Sequence, residues 1–127
     1  MTNYDIVHVE DDNRYSGLVE RRAIEAGLTY VNFPALDELE AALPETSARF
    51  WVTDGRFPKT RGGGVENNST RAVELIRRCD PNSRIALHSS GTFARSDAIG
   101  LEIKWFDKDS YTAKGLVDKI KEILGEN

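Results

Sequence analysis

The sequence predicts an α/β fold, a five-stranded parallel sheet with helices on both faces, and two observations carry that prediction. Five short apolar runs, rich in β-branched and aromatic residues, alternate with five segments of helical spacing. Four of those runs end on a chemically distinctive group: Glu10 and Asp11, Asp54, Ser89, and Lys108. In an open parallel sheet the C-terminal strand ends line one crevice, so these residues are expected to meet.

The elements follow in order. Ile6–Val9 reads as a buried strand. Asp12 or Asn13 can cap the next helix, whose apolar positions are Tyr15, Leu18, Val19, Ala23 and Ala26, with Gly27 as its stop. Thr29–Phe33 is the second strand, ended by Pro34. A short amphipathic helix carries Leu36, Leu39, Ala42 and Leu43 and closes before Pro44. Phe50–Thr53 is the third strand and delivers Asp54. Residues 56–68 read as a long polar loop around Gly62, Gly63 and Gly64. It is not a phosphate-binding P-loop, because no Gly-Lys-Ser/Thr follows. It reads as a flexible insertion, or as a mobile lid bringing Lys59 and Arg61 to the site. Ala72, Val73, Ile76 and Cys79 mark the third helical face. Arg84–His88 is the fourth strand. Thr92–Ile99 predicts a short, weak fourth helix. Ile103–Asp107 is the fifth strand, and Leu116, Val117, Ile120, Ile123 and Leu124 give the last helix. His8 and His88 lie inside strands and are expected to be packed in the core, like Trp51, rather than catalytic.

The bulk numbers exclude several classes. A chain of 127 residues is read as a single domain, residues 1–127, large enough for a real core. The net charge of −4 is spread without a basic block, which argues against a nucleic-acid surface. One cysteine permits no internal disulfide, and a reducing, cytoplasmic setting fits. No signal peptide or membrane-spanning apolar stretch is present, so no membrane partner is expected.

Three carboxylates at one place cannot all stay ionised without a cation. Glu10, Asp11 and Asp54 therefore imply a bound metal, and Ser89 with Lys108 implies an anion beside it. Mg²⁺ suits such a site, since it prefers oxygen ligands and keeps several waters.

The sequence resembles the receiver domain of two-component response regulators, a flavodoxin-like (βα)5 fold. The resemblance rests on Val9-Glu10-Asp11-Asp12, Asp54-Gly55-Arg56-Phe57-Pro58, Leu87-His88-Ser89-Ser90, and Lys108 after Trp105-Phe106-Asp107, each after the appropriate strand. It implies that Asp54 accepts a phosphoryl group from a histidine kinase or histidine phosphotransfer protein. It implies Mg²⁺ or Mn²⁺ held by Glu10, Asp11, Asp54 and the backbone carbonyl of Arg56. Ser89 resembles the switch hydroxyl, Lys108 the ammonium that pairs with the phosphoryl group, and Trp105 the aromatic switch residue. No particular output partner follows from it.

Some positions depart from the family pattern. Asp109 follows Lys108 where the family usually has proline. Either a trans peptide with a shifted loop or a strained cis bond is expected there, which puts the aim of Lys108 in question. Two other functions remain open at this stage. One is a binding module of the same fold that works without phosphate. The other is a Mg²⁺-dependent phosphohydrolase with an aspartate nucleophile; it usually needs a second acid two residues on, where this chain has Arg56.

Overall fold

The computed structural model describes residues 1–125. Its elements are β1 (Thr2–Val9), α1 (Asn13–Glu25), β2 (Tyr30–Phe33), α2 (Leu36–Ala42), β3 (Thr46–Thr53), β4 (Arg56–Pro58), β5 (Val65–Asn67), α3 (Ser69–Cys79), β6 (Ile85–Ser89), α4 (Thr92–Leu101), β7 (Lys104–Asp107) and α5 (Ala113–Gly125). Five strands form one parallel sheet in the order β2-β1-β3-β6-β7. This is the doubly wound arrangement, whose strand order reverses between β1 and β3. Glu10 and Asp11 leave one of those two strands and Asp54 leaves the other.

Strand alternation sorts the core onto two faces. Ile6, Phe50, Val52, Ala86 and Phe106 pack against α1 and α5 through Val19, Ala23, Leu116, Val117 and Ile120. Val7, Val9, Trp51 and Ile85 pack on the opposite face with Leu39, Phe57, Val73 and Ile76. Leu87 meets Ala94 and Ala98 of α4 on that side. Asp12 caps α1, accepting from the N–H groups of Arg14 at 3.0 Å and Tyr15 at 3.3 Å. Gly27 follows the helix end at φ 78°, the left-handed geometry its lack of a Cβ permits.

Several expectations need correction. Residues 56–68 are not an open loop: β4 and β5 form an antiparallel hairpin, Arg56 opposite Asn67 and Pro58 opposite Val65. Buried Asn68 donates from Nδ2 to the Phe57 carbonyl at 2.8 Å and fastens the hairpin base to α3. The Asp37 N–H donates to the Lys59 carbonyl at 2.9 Å, and Arg61 forks onto Glu38 at 2.6 and 3.2 Å, so α2 holds the other end. The fourth helix runs two residues past its expected end: α4 has ten residues, and among its described side chains the small Ala94 and Ala98 are the buried ones. Cys79 and Leu18 are exposed, while Leu75 takes the core position on α3. Pro44 lies inside a 3-10 turn over Leu43–Glu45 rather than beyond the helical segment. β1 and β3 start four residues earlier than their apolar runs, because they pair with each other from Thr2 and Thr46 onward. Residues 126 and 127, which the sequence leaves beyond the last helix, lie outside the described residues. Among the described residues, no helix is long and apolar enough to cross a membrane.

Candidate phosphoacceptor site

The site is assembled by sheet register. The Asp54 N–H donates to the Val9 carbonyl at 2.9 Å, which locks the end of β3 against the end of β1. The Glu10 N–H donates to the Phe33 carbonyl at 3.3 Å, tying the same corner to β2. Ligand atoms of Glu10, Asp11 and Asp54 then all lie within 4.8 Å of one another. Glu10 and Asp54 are buried and Asp11 is half-buried. A cluster of three hard oxygen donors at this spacing fits Mg²⁺ or Mn²⁺.

Lys108 is aimed into the cluster. Its Nζ donates to Glu10 Oε1 at 2.6 Å and stands 3.4 Å from Asp54 Oδ2. No cis peptide is present among the described residues, so the Lys108–Asp109 bond is trans. Asp107 replaces the missing proline as the organiser of this loop. Its carboxylate accepts from the Asp109 N–H at 3.0 Å, and its carbonyl accepts from the N–H groups of Ser110 and Tyr111. The turn so formed leaves Lys108 free to reach back over the strand ends.

Charge in the cluster is unbalanced, with three carboxylates facing one ammonium. Burial, reinforced by the charge of Asp54, pushes the Glu10 carboxyl up to about 8 despite its bond to Lys108. For Lys108, burial works to lower the pKa, but the attraction of Asp54 and Glu10 outweighs it and the net direction is upward. The protein alone therefore does not neutralise the site, and a divalent cation would complete it.

Asp54 is 8% exposed, and its Oδ1 accepts from the Gly55 N–H at 2.7 Å. Half-buried Ser89 lies against Gly55. The Ser89 carbonyl accepts from the Lys108 N–H at 3.3 Å and from Trp105 Nε1–H at 3.0 Å. One backbone group thus links the hydroxyl position, the ammonium position and the aromatic position. The Arg56 side chain is exposed beside a groove of about 410 Å³ that Ser89, Gly91, Phe93 and Asp97 also line. Lys59 and Arg61 do not turn toward Asp54: Lys59 is 3.9 Å from Glu66, and Arg61 is held by Glu38.

The sequence reading missed two contributions. Tyr15, read there as a core-facing helix residue, lies with its ring centroid 5.1 Å from the Lys108 ammonium. The second is the partner set of the two strand histidines. His8 and His88 are buried, as expected, on the α1 side of the sheet. The His8 Nδ1–Tyr30 Oη distance is 2.6 Å, and the Tyr30 hydroxyl donates onward to the Ser16 carbonyl at 3.3 Å. That direction makes Nδ1 the protonated nitrogen of His8. His88 Nε2 donates to the Tyr111 carbonyl at 3.2 Å. Each ring keeps one unpartnered buried nitrogen, His8 Nε2 and His88 Nδ1, which carries a lone pair rather than a proton. Burial holds both rings neutral, with pKa values of about 3 and about 4. Tyr30→Phe removes the only acceptor of a buried N–H. It should lower unfolding stability by about 1–3 kcal/mol in urea titrations, and a loss below about 0.5 kcal/mol contradicts this tautomer.

Comparison with known proteins places the fold. No family model matches the sequence, and no curated protein matches it. Solved structures do match over nearly the whole chain, and the fold is that of response-regulator receiver domains. A CheY-like receiver domain protein from Methanospirillum hungatei is 16% identical, with 99% of this chain and 95% of that one covered and a TM-score of 0.76. The non-phosphorylated HemR receiver domain from Leptospira biflexa is 16% identical, with 100% and 97% covered and a TM-score of 0.76. The BeF3-activated DrrB receiver domain is 15% identical, with 98% and 100% covered and a TM-score of 0.76.

Proposed function

We propose that the chain is a two-component receiver that accepts a phosphoryl group on Asp54 and thereby changes a protein-binding surface. One observation carries the reading: a nearly buried carboxylate, fixed by a backbone N–H, sits within reach of two further acids and one ammonium. The donor is a phosphohistidine on a histidine kinase or histidine phosphotransfer protein. Asp54 attacks phosphorus, an O–P bond forms, the P–N bond breaks, and the imidazole leaves with the electron pair and takes up a proton. A carboxylate is a weak nucleophile, so the protein's part is to hold it in line and to balance charge.

Glu10, Asp11, Asp54 and the carbonyl of Arg56 would hold Mg²⁺ or Mn²⁺, which supplies charge neutralisation on the phosphoryl oxygens. Lys108 would shift from Glu10 to the phosphoryl group. Ser89 would bond it through its hydroxyl, and Trp105 would turn as the backbone carbonyl it holds moves. The similarity to a BeF3-activated receiver supports this two-state behaviour. A phosphate-independent module is favoured by one feature, the Lys108–Glu10 bond that already engages the ammonium.

Intact-mass measurement after incubation with Mg²⁺ and acetyl phosphate decides. The expected result is one added phosphoryl group in the wild type and none in Asp54→Asn or in the presence of chelator. No gain in the wild type would leave the phosphate-independent module.

A further inference from the structure

Lys108 reaches the acceptor corner on a flexible four-carbon stem, from a loop with aspartate rather than proline after it. Three groups surround its ammonium. Nζ is 2.6 Å from Glu10 Oε1 and 3.4 Å from Asp54 Oδ2, and it stands over the Tyr15 ring, 5.1 Å from the centroid. That last distance is within the range in which a ring face attracts a cation. The two carboxylates are also the ones read as ligands of a divalent ion. An ion held there would compete with Lys108 for their oxygens and repel the ammonium. The Tyr15 face offers no ligand atom to a hard cation, so it is the partner of Lys108 that such an ion leaves in place. The ring is itself held. Its N–H is bonded to the capping Asp12 at 3.3 Å, and its hydroxyl oxygen is 3.4 Å from Nε2 of buried His88, with the two ring centroids 5.5 Å apart. The buried His8 ring meets it edge-on at 6.5 Å. Burial, then the charges of Glu10 and Asp54, push the Tyr15 phenol up to about 12, so the ring stays neutral at ordinary pH.

We propose that Tyr15 is a positioning residue for Lys108: its ring face keeps the ammonium beside Asp54 when a divalent cation occupies the carboxylates. The inference deepens the phosphoacceptor reading and rests on it. A ring face is broad and undirected compared with a carboxylate oxygen. It can therefore hold the ammonium both where it bonds Glu10 and where it would meet a phosphoryl group on Asp54. Without the ring, a charge repelled by the metal swings out to water on its flexible stem. The transferring phosphoryl group then finds the ammonium in place for only part of the time.

Two measurements test it. The first is the ring-current shift of the Lys108 ε-methylene protons, read by carbon–proton NMR without and with saturating Mg²⁺. An upfield shift that persists in Mg²⁺ and is lost in Tyr15→Leu is the expected result. A shift that Mg²⁺ abolishes overturns the proposal, because the lysine has then left the ring. The second is the initial rate of phosphoryl incorporation from acetyl phosphate at saturating Mg²⁺, read by intact mass. Tyr15→Leu should be about five- to tenfold slower, the size of one partly buried cation–ring contact, with no loss of Mg²⁺ affinity. Tyr15→Phe keeps the ring and should recover most of the rate. Trifluorophenylalanine at position 15 nearly keeps the ring's size but withdraws charge from its face, so it should be as slow as Tyr15→Leu. This near-isosteric replacement decides the matter if Tyr15→Leu does not fold. A trifluoro ring as fast as Tyr15→Phe overturns the proposal. So does a fall in Mg²⁺ affinity that matches the loss of rate, because that places the defect on the carboxylates. A wild type that binds no Mg²⁺ and gains no phosphoryl mass overturns the phosphoacceptor reading, and this inference with it. A wild type that is phosphorylated but loses its upfield shift in Mg²⁺ removes only this inference.

Discussion

Raising the pH of the metal-free protein from about 6.5 to about 8.5 lowers its melting temperature, and millimolar Mg²⁺ cancels most of that fall. Glu10 gives the sign. Its folded pKa is raised to about 8 by burial and by Asp54, well above the ordinary glutamate value. A raised pKa means that the folded state holds a proton the unfolded chain has already released. The stability this contributes is complete below the unfolded pKa and drains away as pH rises through the folded one. The buried histidines act in the opposite sense. Their folded pKa values of about 3 and about 4 are depressed, so their contribution is complete above the ordinary value of 6.5 and is lost only in acid. The unfolded imidazoles still hold part of a proton at pH 6.5, so the histidines oppose Glu10 weakly in the lower half of the window and not above about pH 7.5, and the Glu10 fall sets the net sign. A divalent cation bound by the deprotonated cluster would stabilise the folded state most where the proton has gone, by about 2.7 kcal/mol at a hundredfold excess over Kd. Calorimetry in chelator and in Mg²⁺ across the window reads both effects. Glu10→Gln should flatten the chelator profile and weaken the metal. A chelator profile that rises through the window would show that Glu10 is ionised without a cation and that Lys108 alone suffices.

The parts legible in the sequence are those with a local signal. The runs Ile6–Val9 and Phe50–Thr53 are apolar because both faces of a central parallel strand are buried, and their ends place Glu10 and Asp54. The β4–β5 hairpin had no such signal. Its strands are three residues each, one of them fully exposed, and they bracket three glycines. Its shape comes from tertiary ties, among them those to Asn68, Asp37 and Glu38 and the burial of Phe57. The full length of α4 was hidden for a related reason. Alanines 94 and 98 are small enough to lie close to the sheet, yet they contribute little to an apolar stripe. Asp109 looked damaging because a proline is missing, but the loop is organised by the Asp107 side chain two positions earlier. The histidines were placed in the core from strand context alone, while their partners Tyr30 and the Tyr111 carbonyl come from other elements.

Lys108→Met should separate metal binding from phosphoryl acceptance, moving them in opposite directions. Lys108 is bonded to Glu10 at 2.6 Å and is 3.4 Å from Asp54, in a half-buried setting where charges are weakly screened. It would thus compete with a cation for Glu10, and it is the only ammonium among the described residues that is paired with the Asp54 carboxylate. Replacing it with a side chain of similar length and no charge leaves the carboxylates uncompensated. Mg²⁺ affinity at about pH 8.5, where Glu10 is mostly ionised, should rise several-fold, up to the tenfold that 1.4 kcal/mol represents. Phosphoryl incorporation from acetyl phosphate should nevertheless fall by about a hundredfold or more, because one of the charges that balances the transferring group is gone. Lys108→Arg keeps the charge but spreads it over a planar fork, so it should restore the Mg²⁺ affinity of the wild type without restoring the rate. Mg²⁺ titration and time-resolved intact mass on the same preparations give both numbers. A parallel fall of affinity and rate in Lys108→Met would mean that the lysine holds the carboxylates in place rather than balancing charge, and its aim into the cluster would then be structural.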